Sequence, residues 1–322
     1  MNPLIITHAN CVDGCCSQAI LKAKYKYNAN YMELDHVNLD EKKDPNARNF
    51  IEKITSQRDS DVYIADFCLP SNLIESLLLN NNKVTVLDHH IDNLKHLAPL
   101  QNKIKNGENL NLNISFSLDN TQSGALLTWK YLFPNVEVPL AIKHVSAGDV
   151  WKFEFGDSTK HFYAGLLKNF EEPKNIPNNF WQEIIFNETI ANNIINIGKP
   201  IHENFMNEVH QFSLIAQNVI LDNKQGLIVK APKKYTSDLG NYLCRQGADF
   251  GLVYFIEDSG IVRCSLRAIE PNTVNNIAQK FGGGGHPQAA AFRCANMQEF
   301  QKLLQEEGNS LSLNIEQNKL KL

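Results

Sequence analysis

A chain of 322 residues exceeds the size at which a single hydrophobic core usually stops growing, so two domains are expected. Hydrophobic residues at 43% and charged residues at 20% fit a folded globular protein and exclude wholesale disorder. The formal charge of −4 excludes a protein that grips a long nucleic-acid duplex, because Lys and Arg must displace the counterions of many phosphates. A short anionic ligand, held by a few local cations or by metal, stays open.

The opening "MNPLIITHANCVDG" has no basic region followed by a long apolar run, and no window approaches the ~20 apolar residues of a membrane span. A cytoplasmic protein without a membrane partner is therefore expected. The seven cysteines Cys11, Cys15, Cys16, Cys68, Cys244, Cys264 and Cys294 include no CxxC pair, which reads as reduced thiols rather than a zinc ribbon.

In chain order, β-branched and apolar runs predict strands at Leu4–Thr7, Tyr31–Leu34, Val62–Ala65, Val84–Leu87 and Leu112–Phe116. Amphipathic stretches predict helices at Ser17–Tyr27, Ala47–Ser56, Asn72–Leu79 and Ser123–Phe133. This alternation predicts an α/β fold over residues 1–180, a mostly parallel sheet with helices on both faces, with ligands beyond the carboxyl ends of the strands. Residues 181–215 read as a helical connector in which Ile184, Ile185, Ile190, Ile194 and Ile195 share one buried side, with Pro200 kinking it or starting a second helix. Strands at Val219–Leu221, Gly226–Val229, Gly251–Ile256 and Val262–Leu266, with helices near Leu239–Arg245 and Val274–Lys280, predict a smaller α+β domain over 216–310. The tail, 311–322, is polar and weakly patterned.

The strand ends carry the chemistry. Leu4–Thr7 leads into His8, Asn10, Cys11 and Asp13; Val62–Ala65 leads into Asp66; Val84–Leu87 leads into Asp88, His89 and His90. Burying such groups without partners costs roughly 2–7 kcal/mol apiece, so a shared cation is the economical explanation. Asp149, in "HVSAGDVWKF", is a fourth candidate. Taken singly each has an ordinary reading: Asp66 as a cap or turn residue, Asp13-Gly14 as a turn, His8 as a rim histidine. Together, carboxylates and imidazoles without clustered thiolates suit Mn2+ or Mg2+, with Zn2+ or Fe2+ as alternatives.

These stretches carry a resemblance. "THANCVDG", "ADF", "LDHH" and "GDVWKF" resemble the four ordered motifs of the DHH phosphoesterase superfamily. "FGGGGHPQAAAF" resembles the glycine-rich signature of the DHH-associated domain, and "CSLRA" the arginine-bearing strand before it. The resemblance implies hydrolysis of phosphoric esters or anhydrides at a site with two divalent cations, usually Mn2+, with Mg2+ as the alternative. By that resemblance Asp66 bridges both metals, Asp13, His89 and Asp149 complete one site, and His8 belongs to the other. Asp88 orients a histidine and His90 contacts the phosphate.

One departure stands out. The family's first motif offers a histidine and two aspartates; here Asp13 matches the second, while Cys11 occupies the place of the first, with Asn10 beside it. An Asn10 amide oxygen can ligate a hard cation, and a Cys11 thiolate favours a softer one. The plainer reading of Cys11 is a small core residue. Either way the His8-side metal is expected to bind more weakly or to arrive with substrate.

The glycines before His286 allow positive φ and close approach of backbone N–H groups to an anion, so Gly283, Gly284, Gly285 and His286 are candidate substrate contacts on a rigid loop opening a helix. Arg267 is a candidate phosphate grip, expected to face the metals across a cleft. The function expected is hydrolysis of phosphodiester bonds in a short single-stranded oligonucleotide or small nucleotide. A pyrophosphatase-like hydrolase and a non-catalytic nucleotide-binding module are the competing readings.

Overall fold

The apolar runs Leu4–Thr7, Val62–Ala65 and Val84–Leu87 assemble because each is buried on both of its faces. A computed structural model describes residues 2–106, 113–152 and 154–309. Strands β1 (Leu4–His8), β2 (Asn30–Leu34), β3 (Asp61–Ala65), β4 (Lys83–Asp88) and β5 (Ile114–Leu118) form one sheet in the order β2-β1-β3-β4-β5. Every pairing in it is parallel, with Leu4 beside Val62 and Val62 beside Val84. Side chains alternate across the sheet with period two. Ile5, Tyr63 and Leu87 enter one core with Ile20, Trp129, Val145 and Trp181, while Ile6, Ile64 and Val86 enter the other with Ile54, Leu77 and Leu97.

The helices supplying these cores are α1 (Val12–Tyr25), α2 (Ala47–Thr55), α3 (Ser71–Leu79), α4 (Ile91–Lys105), α5 (Gly124–Leu132), α6 (Leu140–Asp149), α7 (Asp157–Leu166), α8 (Asn178–Phe186) and α9 (Glu188–Ser213). The fold class expected from the sequence is the one found: a parallel sheet layered between helices, followed by a mixed sheet.

By contacts the chain divides into Met1–His202 and Glu203–Leu322. The second unit contains β6 (Gln217–Leu221), β7 (Lys224–Lys230), α10 (Thr236–Arg245), β8 (Phe250–Ile256), β9 (Val262–Arg267), α11 (Asn275–Lys280), β10 (Gly284–His286), β11 (Ala289–Cys294) and α12 (Met297–Glu306). Its sheet runs β10-β11-β9-β8-β7-β6, with only the β7–β8 pair parallel.

Several expectations need correction. Helix α1 begins at Val12, not Ser17, because Cys11 caps it: its backbone is extended and its Sγ accepts the Gly14 N–H at 3.1 Å. Asp13-Gly14 is thus the first turn of a helix, not a loop turn. Asp149 is the last residue of α6. Helix α9 continues with Pro200 inside it; buried Ile194 before the proline and buried Val209 after it outweigh one missing donor.

The glycine run does not open a helix. Gly284–His286 is a strand, paired antiparallel with Ala289–Ala291. A Cβ at Gly283 would lie 2.1 Å from the Ala291 carbonyl oxygen, and one at Gly285, at φ 144°, 2.5 Å from the Ala289 carbonyl oxygen. Glycine is required there for hairpin contact. The predicted strand start at Leu112 and the polar tail lie outside the described residues.

Candidate metal centre

Because β1, β3 and β4 are neighbours and parallel, their carboxyl ends share one rim. His8 is the last residue of β1, Asp66 follows β3, and Asp88 ends β4. Asp66 takes left-handed backbone at φ 55°, a conformation uncommon for residues other than glycine, and its N–H donates to the Leu87 carbonyl at 2.9 Å. Such strain persists where the surroundings enforce it.

The two oxygens of the Asp66 carboxylate face different histidines. Oδ1 lies 3.1 Å from His89 Nε2, and Oδ2 lies 3.6 Å from His8 Nδ1. His89 Nε2 is also 3.2 Å from Asp149 Oδ2 and 3.8 Å from Asp13 Oδ2. One ring nitrogen carries at most one hydrogen, so it cannot satisfy all three carboxylates. Donor atoms of Asp13, His89 and Asp149 lie within 4.8 Å of one another, as do those of His8, Asp66 and His90. Oxygen and nitrogen donors of this kind could hold divalent cations.

The electrostatics agree with that reading. Burial, followed by the charges of Asp66 and Asp149, pushes the Asp13 carboxyl well above its ordinary value. Burial and then Asp66 raise Asp149. Burial acts on Asp66 in the same direction, but hydrogen bonding with His8, His89, Asp13 and Cys11 outweighs it and leaves Asp66 below the ordinary range. Negative charge is concentrated where water is scarce, the condition a bound cation relieves.

Helix α5 holds Asp13 in place. Asp13 accepts from the Gly124 N–H at 2.6 Å and the Ala125 N–H at 3.0 Å, at the positive end of the helix. A Cβ at Gly124 would meet Asp66 Cβ at 2.5 Å, and one at Gly14 would meet the His8 carbonyl oxygen at 2.2 Å. Both approaches need glycine.

Asp88 is fully buried and does not join either group. Its Oδ1 accepts from the His89 N–H at 2.9 Å and lies 2.8 Å from His90 Nδ1, while Oδ2 accepts from the Asn93 amide at 2.9 Å. The Asp88 hydrogen bond raises the His90 pKa.

Two residues of the first motif depart from expectation. Asn10 is exposed, at φ 52°, and its side chain engages Glu172. Cys11 is not a core residue: its Sγ donates to Asp66 Oδ2 at 3.1 Å and lies 3.4 Å from His8 Nδ1. Asn93, which fixes Asp88, and Phe67, stacked against His8 at 6.1 Å, were not legible as site residues. Asn93 sits five residues past Asp88 in ordinary helical sequence, and only its burial marks it.

In the second unit Arg267 is half-buried and laid along the sheet. Its guanidinium donates to Ser265 Oγ at 3.0 Å, the Leu266 carbonyl at 2.9 Å and Ser237 Oγ at 2.8 Å, and a Cβ at Gly240 would meet its Cγ at 2.8 Å. Gly284, Gly285 and His286 are exposed along β10. A groove of about 560 Å³ is lined by Lys233, Phe255, Arg263, Gly283 and Arg293, with Arg263 paired to Glu257 at 2.7 Å.

A family model described as the DHHA1 domain matches residues 227–309. An uncharacterized protein of Acanthamoeba polyphaga mimivirus is 26% identical over 302 residues, covering 89% of this chain; the chain spans only 66% of that protein's length. A solved pGpG-specific phosphodiesterase, PggH from Vibrio cholerae, shares the fold at 12% identity and TM-score 0.54, over 96% of this chain and 99% of its own. The DHH domain of a member of the s1p family of ribosomal proteins does so at 12% identity and TM-score 0.55, over 95% and 85%. The match to the DHHA1 domain lies within the second unit, and the chain shares its fold with these two solved proteins. Among the described residues no helix is long and apolar enough to cross a membrane.

Proposed function

We propose that this protein hydrolyses phosphodiester bonds of short oligonucleotides or related small nucleotides, using two divalent cations, Mn2+ foremost. The observation that carries the reading is the convergence of Asp13, Asp66 and Asp149 on the single nitrogen His89 Nε2. A hydrogen-bond network has no use for that arrangement; a cation does. Divalent cations, once held there, supply a water of lowered pKa, towards ~7, and offset charge on the phosphoryl oxygens.

In this reading Asp13, His89 and Asp149 hold one cation, His8 belongs to the other, and Asp66 offers one oxygen to each. Asp88 fixes the ring of His90 by engaging Nδ1, which leaves Nε2 to donate to a phosphate oxygen. In the second domain, Arg267, His286 and the glycine strand grip the nucleotide, and the cations of the neighbouring groove extend that surface. A small nucleotide suits a few local cations better than a long duplex does, given the net charge of −4. The named activity of the Vibrio cholerae neighbour makes pGpG a natural first substrate.

The test is an assay in Mn2+ across pGpG, short single-stranded RNA, short single-stranded DNA and pyrophosphate. Turnover of the nucleotides with little of pyrophosphate is expected. Turnover of pyrophosphate alone would replace the reading by a phosphoanhydride hydrolase, and tight nucleotide binding without turnover by a binding module.

A further inference from the structure

On the His8 side three donor atoms from two distant segments form a small triangle. Cys11 Sγ is 3.4 Å from His8 Nδ1 and 3.1 Å from Asp66 Oδ2, and His8 Nδ1 is 3.6 Å from Asp66 Oδ2. Sulfur, nitrogen and oxygen ligands bound tetrahedrally at about 2.0–2.3 Å stand about 3.4–3.6 Å from each other. Two edges of the triangle already have that length, and the third must open by less than about 0.5 Å. Independently of Cys11, His8 and Asp66 stand with His90 in a group whose donors all lie within 4.8 Å.

We infer that Cys11 supplies a sulfur ligand on the His8 side and tunes that side to thiophilic cations such as Zn2+, Co2+ or Cd2+ over Mn2+. The inference rests on the proposed metal reading and deepens it. The other side, Asp13, His89 and Asp149, offers only oxygen and nitrogen and two carboxylates of its own. It therefore suits a hard cation, so the two sides differ in softness. Capping alone does not account for a cysteine here. Ser, Thr, Asp and Asn are the residues that cap helices well, whereas Cys11 both accepts from Gly14 and turns its sulfur towards Asp66.

The experiment titrates the full chain with Co2+ and records its visible and near-ultraviolet absorption, in parallel for the wild type, Cys11→Ser and Cys11→Asp. Both substitutions retain an oxygen that caps α1, so folding is preserved. The wild type is expected to show a sulfur-to-cobalt charge-transfer band that both variants lack, while the cobalt d–d bands persist in all three. Competition should show the ratio of Cd2+ to Mn2+ affinity falling at least about tenfold in Cys11→Asp, equivalent to about 1.4 kcal/mol. Cobalt d–d bands without charge transfer in the wild type would overturn the sulfur ligand and leave the metal reading standing. A charge-transfer band surviving in Cys11→Ser would assign it to another thiol and overturn the inference. Absence of every cobalt band from all three chains would end both readings together.

Discussion

Asp88 Oδ1 lies 2.8 Å from His90 Nδ1, and Asp88 is fully buried while His90 is partly exposed. The inner carboxylate thus holds an outer imidazole by one nitrogen and leaves the other free to act. Asp88→Asn removes the charge but keeps the volume. His90 should then titrate nearer the ordinary histidine value, read by its ring-proton chemical shifts, and hydrolysis should fall about 10–100-fold, the usual cost of losing such a supporting carboxylate. An unchanged His90 titration would mean that Asp88 does not govern it.

Gly124→Ala tests the close approach of α5 to β3. The new Cβ would lie 2.5 Å from Asp66 Cβ and 2.6 Å from Asp66 Cα. Backbone must move, at a cost of about 1–3 kcal/mol. A lower urea midpoint together with weaker Mn2+ binding is expected, because the same helix end holds Asp13. Wild-type values for both would show that α5 and β3 can separate without disturbing the site.

Stability should fall in mild acid through His144. It is 2% exposed, lies 3.1 Å from Thr159 Oγ1 by its Nδ1, stacks on Phe162, and burial lowers its pKa to about 4. The unfolded chain takes up that proton near the ordinary value of about 6.5, so between the two values the unfolded state binds more protons and stability rises with pH. Acidification from about pH 7 to about pH 5 should lower the urea midpoint, and His144→Phe should flatten that dependence. An equal slope in both chains would place the acid sensitivity elsewhere.

Arg267→Ala should separate substrate grip from metal binding. A charge-assisted contact contributes about 1.5–3 kcal/mol, so kcat/KM on a short oligonucleotide should fall about tenfold to a hundredfold while Mn2+ affinity is unchanged. Bis-p-nitrophenyl phosphate offers no nucleotide to grip and should lose much less. Equal losses on both substrates would place Arg267 at the reaction centre, or show that its bonds to Ser265 and Ser237 matter only for folding.

The parallel sheet was legible because β1, β3 and β4 are short, rich in β-branched residues and buried on both faces, and the polar residues at their ends stand out against that pattern. The position of Cys11 was not legible, since cysteine is a poor predictor of a helix cap and an apt core residue. The sequence pattern consequently starts helix α1 at Ser17, whereas the helix begins at Val12. Helix α4 is not legible in the sequence because it carries Pro99, a residue that ordinarily breaks a helix. The glycine run before His286 misled for a different reason. Glycine permits both an anion-binding loop and a tight hairpin, and the packing of Gly283 on Ala291 and Phe292 decides for the hairpin.

Asp66 turns one carboxylate oxygen towards His89 and the other towards His8, so the proposed chemistry depends on it most. The most direct measurement is mononucleotide release from pGpG in Mn2+ by the wild type and by Asp66→Asn. Asparagine tolerates the left-handed backbone at this position, so the variant should keep the wild-type circular dichroism and urea midpoint. Metal-dependent hydrolysis through Asp66 predicts release by the wild type and almost none by the variant. Equal release by both chains, or none by a wild type that binds Mn2+ and pGpG, would contradict it.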